Sequence, residues 1–418
     1  MMPEEVSVEL DDAMFASSMD VGALSRQRGG SATVCRFVYS EAWLSQLRQA
    51  FSLDPELPLF PGEMFPAKPR GLFGIFRDTA PDRWGRVLME RREGLDAARD
   101  GRKPRQLGEW DFLLGVSDVS RIGALRLREL DDGGRYLGDH GLEVPPLARL
   151  RELEAAALAL DSPGCEDRTE YETWLRQLLA PGSSLGGARP KATFSGSDGG
   201  LWIAKFPAAQ DRHDVGAWEY LAHQLAERAK VRVPAAQCLQ LGPGHRTFAV
   251  RRFDREGKRR RLYVSAMTLT MKDDGAPASY LDVALAIQDH GDPDTIQLDL
   301  AELYRRGVFN VLIGNRDDHL RNHGFLRGAK GWRLAPAFDV NPNFHKDEHA
   351  LALDASTSIP SVAALRASRE FYRLTQQQAS AIEAEVRAAL RGWSSLAATL
   401  GISRSEVQRS SAVIDPKR

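Results

Sequence analysis

NRDDHLRNHGFL, residues 315–326, sets two aspartates, two histidines, two asparagines and two arginines in twelve positions. The run before it, residues 308–313, is almost wholly apolar, and WRLAPAF (332–338) follows soon after. Polarity this dense against core-forming sequence reads as a solvated turn or as an active site. Any one of Asp317, Asp318 and Asn322 is an ordinary turn residue. The ensemble is not. HGFL and WRLA read as two short strands around RGAKG, and APAFDV then presents Asp339. That hairpin returns the chain towards Asn322, so both side chains are expected to meet one cation.

Asp317 and Asn322 are five positions apart, the separation found in the kinase catalytic loop H-R-D-x-x-x-x-N. Phosphoryl transfer needs a carboxylate to orient the attacking hydroxyl, oxygen ligands for magnesium and a cation on the nucleotide phosphates. Asp317 is the expected base, and Asn322 with Asp339 the expected ligands of Mg2+, a hard ion that takes oxygen. Asp318 is a rival for the base. His319 reads as a metal ligand, a proton shuttle or, two residues from the base, a group that orders the loop by hydrogen bonding. His323 and Asn315 are expected to shape the backbone.

The phosphate end lies upstream. GSSLGGARPK (182–191) lacks the GK[ST] ending of a Walker A motif. Its Gly182, Gly186 and Gly187 still let backbone N–H groups approach an anion, and Arg189 and Lys191 add charge. GLWIAKFPA (200–208) puts Lys205 near the end of an apolar strand, where it needs a partner. Nucleotide phosphates would supply one, with Glu219 on the next helix as the carboxylate that holds it otherwise. VSAMTL (264–269) reads as a strand placed to receive adenine, with Met267, Thr268 and Leu269 as contacts. The seven basic residues between Arg251 and Arg261 read mostly as a solvated turn.

Bulk properties bound the alternatives. With 418 residues, two or three domains are expected. Net charge is −1, from 56 basic and 57 acidic residues, which argues against a surface given over to nucleic acid. Cys35, Cys165 and Cys238 lie far apart with no CxxC spacing, so neither a zinc ribbon nor a disulfide framework is expected. The acidic start MMPEEVSVEL is unlike a signal peptide, and no apolar run is long enough for a membrane span. The expectation is a soluble cytoplasmic enzyme with no membrane partner.

The order of parts is a β-rich first unit, a mixed middle and a mainly helical end, the α+β order of a two-lobed kinase-like fold. The expected divisions are 1–100, 101–272 and 273–418. A helix is expected from Asp82 to about residue 92, followed by a polar, basic linker over 94–108. Ile382, Val386, Leu390 and Trp393 recur at helical spacing after the capping box of Thr375 and Gln378.

SSLGGARPK, IAKFP, RRFDR, GNRDDHLRNHGFL and LAPAFDV, in this order, resemble the HipA-like serine/threonine kinases of bacterial toxin–antitoxin systems. FVYSEAWL, LDPELPLF and DTAPDRWGR resemble that family's N-terminal subdomain. The resemblance implies an ATP- and Mg2+-dependent protein kinase. By carry-over Asp317 is the base, Asn322 and Asp339 bind magnesium, and Lys205 contacts ATP phosphates. Ser184 falls where the family has its inhibitory autophosphorylation serine, with Ser183 the alternative. Implied substrates include aminoacyl-tRNA synthetases. The implied partner is a small helix-turn-helix antitoxin, through which DNA is met indirectly. GGARPK and SAMTLTMKDDGAPASY depart from the best-known members, which places the chain in a divergent branch and leaves substrate and antitoxin open. The D-x-H-x-x-N order of Asp317, His319 and Asn322 also resembles phosphatidylinositol-type kinases, so a lipid or small-molecule kinase is one alternative. A catalytically inactive co-repressor is the other.

Overall fold

Val6, Val8 and Leu10 alternate along one strand and are fully buried, which fixes the inner face of the first sheet. Strand Glu5–Leu10 lies between Met19–Gly29 and Leu125–Arg128, with Ala32–Tyr39 beyond the former, all antiparallel. Phe37 carries the aromatic core of this face, its ring 4.9 Å from Tyr39, 5.7 Å from Phe76 and 6.4 Å from Phe73. The computed structural model describes all residues except 1–2, 30–31, 47–48, 68–70, 131–133, 139–143, 183–186, 188 and 415–418. It resolves into two units, one of Met1–Gln210 with Asp254–Val264, the other of Asp211–Phe253 with Ser265–Arg418.

In the first unit the helix expected near Asp82 runs as Arg83–Arg99, longer than the sequence reading. Residues 94–99 continue it because Glu93 and Ala97 are buried and an Arg92–Asp96 pair at 2.9 Å spans one turn. The basic stretch beyond is tied down. Arg102 reaches Glu93 at 2.5 Å, and the Arg105 backbone N–H donates to the same carboxylate at 2.9 Å.

The basic turn near residue 255 is likewise less solvated than its composition predicts. Arg260 is buried and donates to Asp118 at 3.0 Å, which Arg126 also grips at 2.6 Å. Arg255 donates to Asp254 at 2.7 Å and to the Arg121 carbonyl at 2.7 Å. Arg121 itself has no exposure and donates to the carbonyls of Leu113, Val116 and Thr79 at 3.0, 3.1 and 3.4 Å. Burial pulls its guanidinium down to about 10. Replacing it leaves buried carbonyls unpaired. Arg121→Met is expected to destabilise this unit by about 3 kcal/mol, seen as an earlier first transition when the full chain is unfolded in urea.

The second unit is built on helix Ile296–Ile313, whose Leu300, Leu303, Tyr304, Val308, Val311 and Ile313 are all fully buried. Its Asp299, Glu302, Arg306 and Asn310 are buried as well, so the helix is enclosed along most of its length and its polar residues must find partners there. Helices Tyr280–His290, Val362–Ala367 and Gln376–Leu390 pack on it. The expected stripe of Ile382, Val386, Leu390 and Trp393 is buried but not continuous. Gly392, at φ 75°, breaks the helix, and Trp393 starts the next one. The helical turn Ala266–Leu269 replaces the strand expected through 264–269. Strand Tyr263–Ser265 stops there because the Ser265 hydroxyl caps the turn, accepting from the Thr268 N–H at 3.2 Å. Among the described residues no helix is long and apolar enough to cross a membrane.

Candidate active site

Helix Ile296–Ile313 ends at Gly314, which takes φ 76°, a conformation glycine adopts without strain. A Cβ there would come within 2.1 Å of Val413, so the close approach also demands glycine. The chain then enters the catalytic-loop sequence with its two aspartates facing opposite ways. Asp317 is exposed and Asp318 is buried. One Asp318 oxygen, Oδ2, accepts from the Tyr280 hydroxyl at 2.5 Å, His323 Nε2 at 2.8 Å and Asn310 Nδ2 at 3.0 Å. Asn315 extends the cluster by donating to Asn310 Oδ1 at 3.2 Å. Burial by itself would raise the Asp318 pKa. The charge and hydrogen bond of His323, with the Tyr280 hydroxyl, hold it below the ordinary carboxylate range instead. Burial, and then Asp318 beside it, pushes Tyr280 well above its own usual value.

Asp318 is therefore a buried anchor of the loop. His323, expected to shape the backbone, is buried on Asp318, whereas His319 is exposed. Tyr280 and Asn310 are missed by the sequence reading. Asn310 leaves one trace there, as the single polar residue in the apolar run 308–313.

Asn322 is buried and donates Nδ2 to the Asp317 carbonyl at 3.5 Å, a long contact that turns its Oδ1 away from that carbonyl. The expected hairpin follows as Gly324–Arg327 and Trp332–Leu334, antiparallel, with Phe325 opposite Leu334. A network of charges from helix Ile296–Ile313 fixes the strand that leads to Asp339. Asp299 accepts from Arg333 at 3.0 Å and from the Leu334 N–H at 3.1 Å. Arg306, fully enclosed, pairs with Glu302 at 2.9 Å and donates to the Ala335 carbonyl at 2.6 Å. Asp339 then adopts φ 57°, in the left-handed region that non-glycine residues rarely occupy. Such strain persists where the surroundings impose it. Asn310, Asp318, Asn322, His323, Phe338 and Val340 share the lining of one small, open crevice.

Among the described residues no group of three or more His, Cys, Asp or Glu side chains is placed to hold a metal by itself. An amide oxygen from Asn322 and a carboxylate from Asp339 suit a cation that takes few protein ligands and completes its shell with water and phosphate. That is the habit of magnesium.

The Asp317 carboxylate has a partner the sequence reading did not foresee. Lys346 donates its ammonium to Oδ1, while the carboxylate stays 58% exposed.

In the first unit, the expected phosphate-binding residues surround one antiparallel pair. Strands Lys191–Ser195 and Leu201–Lys205 set Lys191 opposite Lys205. Lys191 is buried and Lys205 half-buried. Gly187 sits at φ 97°, and a Cβ on it would lie 2.8 Å from the Lys191 ammonium. A glycine is thus required where the loop meets that cation. Gly186, Ser183 and Ser184 lie outside the described residues. In the second unit, Glu219 is buried on helix Val215–Arg228, and Met267, Thr268 and Leu269 are buried in their helical turn.

Residues 183–393 match the HipA-like C-terminal domain family, and residues 13–109 match the HipA N-terminal domain family. A comparison with curated proteins found no significant match. The structure is similar to HipA of the Shewanella oneidensis MR-1 toxin–antitoxin system, solved with HipB and operator DNA. The TM-score is 0.64 at 16% identity, covering 98% of this chain and 95% of that one. The Helicobacter pylori proinflammatory kinase CtkA aligns at a TM-score of 0.43 and 16% identity, over 56% of this chain and 90% of that one.

Proposed function

The chain belongs to the HipA-like family, with that family's α+β kinase-like fold, and we propose that it is an ATP- and magnesium-dependent serine/threonine protein kinase. One observation carries this reading. Asp317 and Asn322 share a loop held by the buried Asp318 cluster, and a hairpin runs directly from that loop to Asp339.

In the proposed reaction the oxygen of a substrate serine or threonine attacks the γ-phosphorus of ATP. The bond from that phosphorus to the bridging oxygen breaks, ADP leaves, and the hydroxyl proton passes to Asp317. Asn322 and Asp339 would hold magnesium, which when bound neutralises the phosphate oxygens. Lys205 and Lys191 meet the phosphates, with Gly186 and Gly187 letting the backbone approach them. Glu219 completes the charged set, and Met267, Thr268 and Leu269 take the adenine. His319, exposed beside the base, is assigned to the substrate side. The divisions 1–100, 101–272 and 273–418 are kept as the functional parts of a cytoplasmic enzyme.

The substrate class proposed is a translation-related protein such as an aminoacyl-tRNA synthetase. The similar Shewanella protein was solved with HipB and operator DNA. On that basis a small helix-turn-helix antitoxin is proposed as partner, with DNA bound only through it.

Incubation with Mg-ATP tests the reading. One phosphate is expected on the segment 182–191, at Ser184 or Ser183, located by phosphopeptide mapping. A doubly charged phosphate there would sit against the loop that approaches nucleotide, so ATP turnover is expected to fall as it accumulates. Phosphate found only elsewhere removes the autophosphorylation claim. Transfer to lipid or metabolite extracts, with none to protein, removes the protein-kinase claim.

A further inference from the structure

The contact between Lys346 and Asp317 is exposed at both ends, at 47% and 58%. Surface pairs of this kind contribute about 1 kcal/mol or less to stability, so stability does not explain it. The backbone that delivers Lys346 is nevertheless built with care. The Asn343 N–H donates to the Gly314 carbonyl at 2.9 Å, and the Ala350 N–H to the Arg316 carbonyl at 3.0 Å. Segment 343–350 is therefore stitched at both ends to the residues that immediately precede Asp317. Between those stitches, Asn343 Oδ1 accepts from the N–H groups of His345 and Lys346 at 2.9 and 3.1 Å, turning the chain back. Arg316, a buried arginine, donates to the Lys346 carbonyl itself. Its guanidinium also lies 4.0 Å from Asp347.

Among its contacts this buried arginine holds the Lys346 backbone, a restraint that an incidental surface lysine would not need. What it secures is the place of one ammonium group. An exposed carboxylate otherwise rotates about its last bond, and a general base must hold one oxygen on the proton it removes. With a cation fixed on Oδ1, the second oxygen keeps a defined direction. An inhibitory clamp would cover the carboxylate, yet Asp317 stays more than half exposed.

We propose that Lys346 is a positioning residue for phosphoryl transfer, acting through Asp317 by fixing the orientation of its carboxylate. This rests on the kinase reading above.

Five proteins test it: wild type, Lys346→Ala, Lys346→Arg, Asp317→Asn and the Lys346→Ala/Asp317→Asn double variant. The probe is labelled Mg-ATP, and the readout is the initial rate of phosphate transfer to the protein and to water. Lys346→Ala is expected to lower that rate on the order of 10- to 100-fold. The KM for Mg-ATP is expected to move by about twofold or less, because binding is untouched. Its Tm should stay within about 2 °C of wild type, as for any exposed pair. Lys346→Arg should restore most of the rate. In the Asp317→Asn background the lysine substitution should cost less than about twofold, because a residue acting through another has no effect once that other is gone.

An active wild type with an unchanged Lys346→Ala rate overturns the assignment and leaves the kinase reading standing. A faster Lys346→Ala overturns it in favour of an inhibitory clamp. An equal loss in both backgrounds overturns it as well. A wild type that transfers no phosphate from Mg-ATP overturns the kinase reading, and the assignment with it.

Discussion

Asp317→Asn is expected to lower phosphate transfer from Mg-ATP by about 10³-fold or more, while Mg-ATP binding, followed by calorimetry, changes by about threefold or less. The substitution keeps the shape of the side chain and removes its basicity. Because Asp317 is 58% exposed, the fold does not depend on it, and an unchanged Tm is part of the expectation. Asn322 donates to the Asp317 backbone carbonyl and not to its carboxylate, so the substitution leaves that contact in place. The effect should therefore fall on the chemical step. The neighbouring Asp318 supplies the control. Its Oδ2 is taken up by Tyr280, His323 and Asn310, so it already serves three buried donors. An Asp318→Asn protein that folds normally yet is inactive, beside an active Asp317→Asn protein, would show the base to be the other aspartate.

What the sequence revealed about this site was what is local. Asp317 and Asn322 are tied by a short spacing, and Asp339 follows one hairpin whose strands show in HGFL and WRLA. Long-range partners leave no such signature. The anchor of Asp318 is Tyr280, 38 positions earlier, and the partner of Asp317 is Lys346, 29 positions later. Nothing in DD distinguishes the buried aspartate from the exposed one, because side-chain direction in a loop is set by what packs against it. Short apolar runs mislead for a related reason. VSAMTL carries strand-forming residues, and only the Ser265 cap reveals that its second half is helical. Charge composition misleads too. Arg260 reads as part of a solvated turn until Asp118, which pairs with it, is known. Gly392 broke a stripe that the helical spacing had carried through to Trp393, because periodicity alone does not register a glycine stop.

Asp318→Ala is expected to destabilise the second unit by about 3–5 kcal/mol at pH 7. The loss exceeds that of an ordinary hydrogen bond because three buried donors converge on one carboxylate oxygen. Removing the acceptor takes the partner from the Tyr280 hydroxyl and from His323 Nε2, and leaves Asn310 Nδ2 only the Tyr280 oxygen at 2.8 Å. Acid should mimic the substitution in a predictable direction. The Asp318 carboxyl is held below its ordinary value near 3.8, so falling pH protonates it in the unfolded chain before it does so in the folded one. Its contribution is therefore complete above about pH 4 and drains away as the pH falls through the folded value. Urea unfolding at pH 7 and at progressively lower pH reads both effects. Wild type should lose second-unit stability below about pH 4 more steeply than Asp318→Asn, which has no proton to gain at this position. An Asp318→Ala protein with a Tm within about 2 °C of wild type at pH 7 would mean that the cluster does not carry the loop. The kinase loop would then need another anchor, because Asp317 and Asn322 flank this cluster and depend on it for their places.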